Sequence, residues 1–540
     1  MSRIVFDNAR PVVESDPART DVACFVGLAR ATGAALPDAI VAWLQLHGWT
    51  NGSNAQPGPT SRSINPPFTD IPIPIESYAT FTALFDPGGS NASFGTDYLA
   101  AAVRSFFAQG GRRCYVVSMG DPLGPTPGNV QPTASDKAQK LDALLPRVLF
   151  SANDRRNWHG IGHLGGLPDV SILAVPDLPL LSASDSTLAQ GVPVVVEAGP
   201  SQFVECSQVQ AAGEPNPVFP LPAPRLSPAD YDGWSASLQT ILQYLAQAGI
   251  REITLVAAFP LPQHLDPAAA SENPSSPALA ADIHDAISKE MPENIQPDAT
   301  TPPPDAGLST AFLQLGYPWL RTTGSYVLNE SLEPPDGALA GLLACNALTR
   351  GAFMDAVKVV PAEIVDIWPS LPGYELSIPV TPPQWGDGSW KPLIMRLSIF
   401  GFTPSGLRLL SDVTAYPGEA YRPARVHRLV GVISRAARQL GERSVFQNNG
   451  PQLWRRVEIS LTELMTRLWR MNALEGASTD DAFSVRCDRS TMTQNDLDNG
   501  RMVAQVTFTA ASTIELIRVT LALETSGAAA QGSAVLAGVS

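Results

Sequence analysis

The sequence lacks the features that mark most secreted, membrane-spanning and disulfide-bonded proteins. Of its 540 residues only 16% are charged, and no run of about 18 or more apolar residues is present to cross a membrane. The first residues lack the apolar core of a signal peptide. Its five cysteines are scattered and form no Cys-x-x-Cys pair, which predicts reduced thiols. These absences predict a chain that folds in the cytoplasm and does not span a membrane.

Common motifs of catalysis are missing as well. The sequence contains no P-loop, no Gly-x-Ser-x-Gly elbow and no His-Glu-x-x-His pattern. His159 and His163 could share a metal ion, but the glycines of "WHGIGH" disfavour the helix that this spacing requires, so an ordinary loop is the simpler interpretation. Asp177 and Asp336 could be catalytic carboxylates, or turn residues beside proline and glycine. We predict no metal, no cofactor and no catalysis; a hydrolase-like α/β enzyme is the less favoured alternative.

The charge is unevenly distributed along the chain. The net charge of -15 and the pI near 4.9 argue against nucleic-acid binding. Residues 401–475 nevertheless hold eleven arginines and no lysine against six acidic residues, a local balance of +5. A basic strip in an acidic protein predicts a contact with an acidic partner surface.

Hydrophobic patterning predicts an α/β protein. The stretch from Thr96 to Gly111 has the apolar spacing of a helix that ends at glycine, with Thr96 as its cap, and "RRCYVVSMG" follows as a buried strand. "DVACFVGLAR", "DVSILAVPDLP" and "REITLVAAFP" also predict buried strands, and residues 231–249 predict an amphipathic helix. Near the C-terminus, "RMVAQVTFTA" and "ELIRVTLAL" alternate with a period of two, which predicts half-buried strands.

Two basic amphipathic helices precede these last strands. The first is "RPARVHRLVGVISRAARQLG", and the second follows "FQNNG". In the second, an apolar stripe is predicted on one face, and charged residues lie mostly off it. A solvated surface helix is one interpretation of this pattern, and a partner-binding helix is the other. The predicted stripe consists of Trp454, Val457, Leu461, Leu464, Leu468 and Met471.

Ordered short motifs resemble those of the tail sheath proteins of contractile phage tails and bacterial contractile injection systems. They include "DVACFVGLA", "LAAAVRSFFAQGGRRCYVVSM", "LPDVSILAVPDL", "LGYPWL" and "EPPDGALAGLLACNALTRGAF", in the family's order. The longest block runs from Val445 to Val506 and contains Leu-Trp, Leu-Trp-Arg, Ala-Leu-x-Gly and Ala-Phe-x-Val-Arg-Cys-Asp. The beginning, "RIVFDNARPVVESDP", departs from the family's usual first strand, which leaves a divergent baseplate-proximal member as an alternative.

The resemblance implies a multidomain α/β sheath fold. A mixed sheet flanked by helices is expected in a core built from N- and C-terminal segments, with an inserted middle region and long proline-rich loops. The implied divisions are 1–120 for the N-terminal part of the core with a donated strand, 121–345 for the inserted α/β region, 346–523 for the C-terminal sheath domain, and 524–540 for a flexible tail.

The resemblance also implies a structural function. The chain is expected to form stacked hexameric rings around an inner tube and to contract, driving the tube through a target envelope, with baseplate and terminal cap proteins as further partners. Assembly in the bacterial cytoplasm is expected, within a phage tail or a tail-like particle that can be released. A non-polymerising adaptor is a further alternative. The implied tube-facing residues are Arg455, Arg456, Glu463, Arg467 and Arg470, and the implied inter-subunit strands carry Ile4, Val5, Phe6, Ile517, Val519 and Leu521.

Overall fold

The structure, a computed structural model, describes most of the chain with gaps. It covers residues 19–49, 66–86, 96–123, 132–146, 158–184, 222–263, 310–369, 396–416, 421–444, 447–511, 516–524 and 533–537. The predicted N-terminal strand with Ile4, Val5 and Phe6 lies outside these residues.

Sixteen strands are described, and half of them form one large sheet. Its order is β12-β11-β8-β6-β4-β1-β3-β2, and a second sheet has the order β13-β14-β15-β16. Two small two-stranded sheets pair β10 with β9 and β5 with β7. The strands are β1 Ala23–Gly27, β2 Pro72–Ile75, β3 Cys114–Ser118, β4 Ile172–Ala174, β5 Arg225–Leu226, β6 Thr254–Ala258, β7 Leu261–Pro262, β8 Leu313–Tyr317, β9 Trp319–Thr322, β10 Ile364–Trp368, β11 Ser398–Thr403, β12 Gly406–Leu409, β13 Phe483–Arg486, β14 Arg501–Thr509, β15 Leu516–Glu524 and β16 Ser533–Ala537.

The centre of the large sheet is parallel. β3, β1, β4, β6, β8 and β11 pair in parallel, whereas β2 and β12 are antiparallel at the two edges. The residues of β1, β3, β4, β6 and β8 are all buried, because helices cover both faces of such a sheet. The predicted α/β class, and the strands predicted from "DVACFVGLAR", "RRCYVVSMG", "DVSILAVPDLP" and "REITLVAAFP", are confirmed.

The large sheet runs through three of the ranges drawn from the sequence. Range 1–120 contributes β1 to β3, range 121–345 contributes β4, β6 and β8, and range 346–523 contributes β11 and β12. The middle range therefore supplies central strands of the sheet, between strands from the other two ranges. Whether these ranges fold as separate units stays a prediction.

Eleven α-helices are described, and none of them is long and apolar enough to cross a membrane. Helix α3 begins one residue after Asp97, and Thr96 is not its cap as predicted, because the Thr96 hydroxyl donates to the carbonyl of Leu123 instead. The helices are α1 Asp38–Leu46, α2 Tyr78–Leu84, α3 Tyr98–Ala108, α4 Ala134–Leu144, α5 Leu178–Ser182, α6 Pro228–Gln247, α7 Asp336–Thr349, α8 Ala424–Ser444, α9 Pro451–Arg470, α10 Thr479–Ala482 and α11 Gln494–Asp498.

Helices α3 and α7 pack against each other at very short range. Glycines at two positions of α7 make this possible. A Cβ on Gly337 would lie 2.4 Å from the Cα of Ala102, and one on Gly341 would lie 2.6 Å from the carbonyl oxygen of Phe106. Any larger residue at either position would push the helices apart, so the glycines of "PPDGALAG" set the spacing of this layer.

The C-terminal part has its own hydrophobic core, formed by α8, α9 and the four-stranded antiparallel sheet. β14 alternates as predicted, and every second residue from Met502 to Phe508 is buried. Its neighbour β15 pairs with it along nine residues, which brings Val519 opposite Val506. The range 524–540, for which a flexible tail is predicted, contains β16, and β16 pairs with β15.

Candidate functional site

Helix α8 carries a buried ion pair that joins the C-terminal part to the large sheet. Arg428 Nη1 donates to Asp412 Oδ1 over 2.9 Å and Arg428 Nη2 donates to Asp412 Oδ2 over 2.5 Å. Asp412 also accepts bonds from Gln314 Nε2 and the Ala356 backbone nitrogen. Burial alone would raise the pKa of Asp412, but the Arg428 guanidinium and these bonds hold it below its usual value. Asp412 therefore remains an anion inside the protein.

Two more arginines of α8 bind the segments that lead into parallel strands. Arg435 Nη1 donates to the carbonyl of Arg19, just before β1, and Arg435 Nη2 donates to that of Val170, just before β4. Arg438 forms an ion pair with the buried carboxylate of Glu252, just before β6. Burial lowers the pKa of Arg435 to about 10, which still leaves it charged at neutral pH. Helix α8 thus lies across the N-terminal ends of three neighbouring strands.

These contacts reduce the basic surface that the sequence count predicts. Of the eleven arginines in residues 401–475, Arg428, Arg435 and Arg438 are bound to buried carboxylates or to carbonyls that lead into strands. A count of charges cannot distinguish such residues from exposed ones. The exposed arginines of the two helices therefore lie mainly on α9 rather than on α8.

The ends of α9 are fixed by its two tryptophans. Trp454 Nε1 donates to Asn449 Oδ1 over 2.7 Å, and Trp469 Nε1 donates to the carbonyl of Gly476 over 3.1 Å. Gly476 has a φ of 153°, and a Cβ there would lie 2.6 Å from the backbone nitrogen of Ala482. Glycine is therefore required at this turn. Both tryptophans have a structural role at the helix termini.

The buried face of α9 is rotated slightly from the predicted stripe. The predicted Val457, Leu461 and Leu468 are buried. Trp454 and Leu464 are only half-buried, and Met471 is 44% exposed and lies beyond the last helical residue. The face of α9 that packs against β13 and β14 also includes Leu453 and Met465, which the prediction omitted.

The five predicted tube-facing residues are all exposed on the solvent side of α9. Arg456 Nη1 donates to Gln447 Oε1 over 2.6 Å. Across the described ranges, the other four form neither an ion pair nor a side-chain hydrogen bond, so their charges are available to a partner. Whether that partner is a tube stays a prediction. The five residues are Arg455, Arg456, Glu463, Arg467 and Arg470.

The predicted inter-subunit residues of the C-terminal strand lie in β15. Within the single chain, Ile517 is opposite Phe508, and Leu521 is opposite Ala504 in β14. The outer strand β13 pairs with β14 alone among the described strands. The sheet thus has β13 and β16 at its two edges, and exchange of strands between subunits stays a prediction.

The two histidines of "WHGIGH" are joined by a buried carboxylate. His159 Nδ1 and His163 Nε2 each lie 2.9 Å from a different oxygen of Asp70. Trp49 Nε1, which can only donate, lies 2.9 Å from His163 Nδ1, so Nε2 of His163 carries the proton and donates to Asp70. Asp70 was not singled out by the sequence. Within the described residues, no group of three or more His, Cys, Asp or Glu is arranged to hold a metal ion.

Asp177 fills the place where doubly wound sheets usually bind ligands. The chain passes from β1 to β3 on one side and later to β4 on the other, which makes the β1–β4 crevice a topological switch point. Asp177 Oδ2 accepts a 2.7 Å bond from the Leu28 nitrogen in this crevice. A Cβ on Gly27 would collide with the same oxygen. The chain's own carboxyl group thus occupies the crevice.

The other carboxyl considered for catalysis, Asp336, is also fully buried. It begins α7, and its Oδ1 accepts a bond from the Gly337 nitrogen. Burial raises the pKa of Asp336 to about 7 and raises that of Asp177 well above its usual value. Perturbed carboxyls often mark active sites, but neither of these is exposed to solvent, where a substrate could reach it.

Comparisons with known proteins identify the fold. No protein-family profile and no curated protein matches the chain. A chain in the cryo-EM structure of the anti-feeding prophage helical sheath in the contracted state matches with a TM-score of 0.50 and 16% identity, over 95% of this chain and 96% of that one. A chain in the six-fold symmetrised baseplate of the same particle gives the same values. A chain in its contracted baseplate matches at 0.50 and 16%, over 94% and 93%. The chain therefore has the mixed α/β fold of contractile injection system sheath proteins, as its motifs predict.

Proposed function

We propose that this chain is a structural sheath subunit that forms stacked hexameric rings around an inner tube and contracts to drive the tube through a target envelope. The observation that carries the proposal is the match of 95% of the chain to a subunit of a helical sheath in the contracted state. The particle would be a phage tail or a tail-like injection system, assembled in the bacterial cytoplasm, with baseplate and terminal cap proteins at its ends.

The exposed face of α9 is the proposed contact with the tube. Its arginines at positions 455, 456, 467 and 470 point to solvent, and Glu463 lies among them. Exposed ion pairs contribute about 0–1 kcal/mol each, so a set of them can hold a tube and still release it. The work of contraction would come from the difference in interface free energy between two lattices, without catalysis by the subunit.

Strand exchange is the proposed link between subunits. A strand with Ile4, Val5 and Phe6, and the strand β15 with Ile517, Val519 and Leu521, would pair with sheets of neighbouring subunits. The edge strands β13 and β16 support the proposal, because an unpaired edge is a template for a further strand. If β15 is exchanged, it would pair with β14 of a neighbouring subunit in the same register that β14 and β15 have within the single chain.

A baseplate-proximal sheath subunit is the second candidate. The match to chains in two anti-feeding prophage baseplate structures favours it, since their coverage and TM-score equal or approach those of the helical sheath. Such a subunit would make one ring at the end of the particle rather than a long polymer.

Negative-stain electron microscopy of the recombinant protein, alone and with its candidate tube protein, tests both candidates. Striated hollow cylinders are expected for a trunk sheath, and single rings that form only with the tube or baseplate are expected for the second candidate. A variant without residues 1–18 should form neither if the N-terminal strand is exchanged. Compact monomers of the full chain under all conditions would contradict the sheath proposal and favour an adaptor.

A further inference from the structure

A shallow groove of about 470 Å³ lies beside the N-terminal half of α9. The indole of Trp454 and the side chain of Ile459 supply its apolar surface, and Ile459 is 50% exposed. The bond from Trp454 Nε1 to Asn449 fixes the position of the indole. The opposite wall comes from the end of β13, at Cys487 and Asp488. The groove is therefore a preformed cleft between a helix and a strand, open to solvent.

The groove is predominantly acidic. The carboxylates of Glu458, Glu463 and Asp488 line it, against the single cation Arg455. None of these four forms an ion pair within the described part of the chain; Asp488 accepts bonds from Ser490 and from the Thr491 backbone, and the charge of Arg486 lies near it. Burial, together with the charges of Glu458 and Asp488, raises the pKa of the Cys487 thiol to about 12, so both carboxylates lie close to this wall.

The electrostatic character of the groove is opposite to that of the C-terminal end of the same helix. Arg467 and Arg470 are exposed in the last turn of α9, about one and two turns beyond Glu463, and no acidic side chain of the described residues pairs with them. Glu458 and Glu463 of α9 thus form an acidic cleft with Asp488, and Arg467 and Arg470 form a basic patch at the end of the helix. A partner that packs along α9 must match both.

We propose that the groove receives one arginine side chain of the inner-tube subunit, while the Arg467–Arg470 end of α9 meets acidic residues of the same partner. This inference rests on the proposed function, because it takes the tube as the protein that packs against α9. In this interface the tube and the sheath protein each supply cations that meet carboxylates of the other. The order of these charges would therefore fix the position of the tube along α9.

The chemistry of the groove favours arginine over other side chains. A guanidinium is planar, so it can stack on the face of Trp454 and direct its N–H groups to two carboxylates at once. Glu458 and Asp488 come from a helix and from a strand end, and they face the groove from its two walls. A lysine ammonium would meet one carboxylate at a time, and an apolar side chain would leave both unpaired.

Charge reversal in the groove tests the proposal on the assembled full-length protein. The variant Glu458→Arg with Asp488→Arg is compared with a control pair, Glu475→Arg with Asp480→Arg, which makes the same charge change at exposed positions outside the groove. Co-sedimentation with the candidate tube protein at several salt concentrations measures attachment. The groove pair should weaken attachment at least ten-fold and the control pair less than two-fold, with unfolding midpoints equal to that of the parent.

A compensating change identifies the occupant. Each surface arginine of the tube protein is replaced by glutamate and tested against the groove pair. One replacement should restore attachment to within about three-fold of the parent, because it restores opposite charges across the groove. Rescue by none of them, or equal loss for groove and control pairs, would overturn the proposal.

The triple variant of Arg456, Arg467 and Arg470, measured in parallel, separates the two proposals. If that variant loses the tube and the groove pair keeps it, the groove proposal fails and the tube-binding role of α9 stands. If the parent itself does not bind the tube, both fail. If the groove pair prevents polymerisation without any tube present, the occupant is a second copy of this chain, which also overturns the tube as the source.

Discussion

Helices α8 and α9 follow each other in the chain and are both basic and amphipathic, yet they use their arginines in opposite ways. In α8, Arg428, Arg435 and Arg438 bind Asp412, strand-leading carbonyls and Glu252, with little or no exposure. In α9, the arginines lie on the face that the core does not cover. Both helices are amphipathic and basic. The difference is what lies opposite the charged side: backbone carbonyls and carboxylates for α8, and solvent for α9.

This difference shows that a basic helix has no fixed function. An arginine that is removed from water needs partners for its N–H groups, and once it has them it cannot be removed without leaving those partners unpaired. An arginine on an exposed face can be replaced at almost no cost in stability. Stability and binding should therefore respond separately to substitutions in the two helices.

Loss of the Asp412 carboxylate is expected to have the largest effect. Asp412→Ala leaves the Arg428 guanidinium buried without its counter-charge, and we expect the free energy of unfolding to fall by about 3–5 kcal/mol. Chemical denaturation of the full chain measures this. The control Glu463→Ala removes an exposed carboxylate from α9 and should change stability by less than about 0.5 kcal/mol. Similar losses for the two variants would remove the distinction between the helices.

A buried carboxyl of the large-sheet region should make stability depend on pH. Glu333 is fully buried, and burial raises its pKa from 4.5 to about 7, although hydroxyls of Ser105 and Thr322 donate to it and lower the pKa in part. The folded state therefore keeps a proton that the unfolded state releases. This contribution is most favourable below about pH 4.5 and is lost as the pH rises to about 7.

Removal of that carboxyl should flatten the pH dependence. Glu333→Gln should reduce the fall in unfolding free energy between acidic and neutral pH by an amount on the order of 3 kcal/mol. Denaturation series at several pH values measure it. Asp336 has a similar pKa of about 7, so part of the dependence should persist in the variant. An unchanged profile would show that Glu333 does not titrate in this range.

The smallest effect on stability is expected on α9, where the effect on binding is largest. Reversal of Arg456, Arg467 and Arg470 to glutamate should change the free energy of unfolding by no more than about 0.5 kcal/mol per site. Attachment to the tube should fall at least ten-fold, because three attractive contacts become repulsive. Electron microscopy and co-sedimentation measure the two. Normal tubes inside normal sheaths would contradict the proposed role of α9.

Local patterns in the sequence predict much of the fold. The apolar runs of β1, β3, β4 and β6 and the alternation of β14 are visible because each depends on neighbouring residues alone. The order of the strands in the sheet, in contrast, depends on contacts between distant segments. The central place of strands from residues 121–345 was not predicted for this reason.

The site was predictable only in part. The exposed arginines of α9 follow from its helical period, but the rotation of its buried face toward Leu453 and Met465 depends on where β13 and β14 pack. Nothing near Arg435 in the sequence points to Val170, which is 265 residues away. Asp488 was visible in the Ala-Phe-x-Val-Arg-Cys-Asp motif, but its position across a groove from Glu458 requires the tertiary structure.

The contacts between α8 and the large sheet also have a mechanical consequence for the protein. Arg435 and Arg438 hold the lead-in segments of β1, β4 and β6, which lie side by side in the sheet. We expect a force on α9 or on the four-stranded sheet to reach the large sheet through α8. Because α8 contacts the segments that lead into β1, β4 and β6, that force would act on all three strand ends together. Helix α8 thus connects the C-terminal part to three adjacent strands of the large sheet at once, and we expect the two parts to separate only when all of these contacts break together.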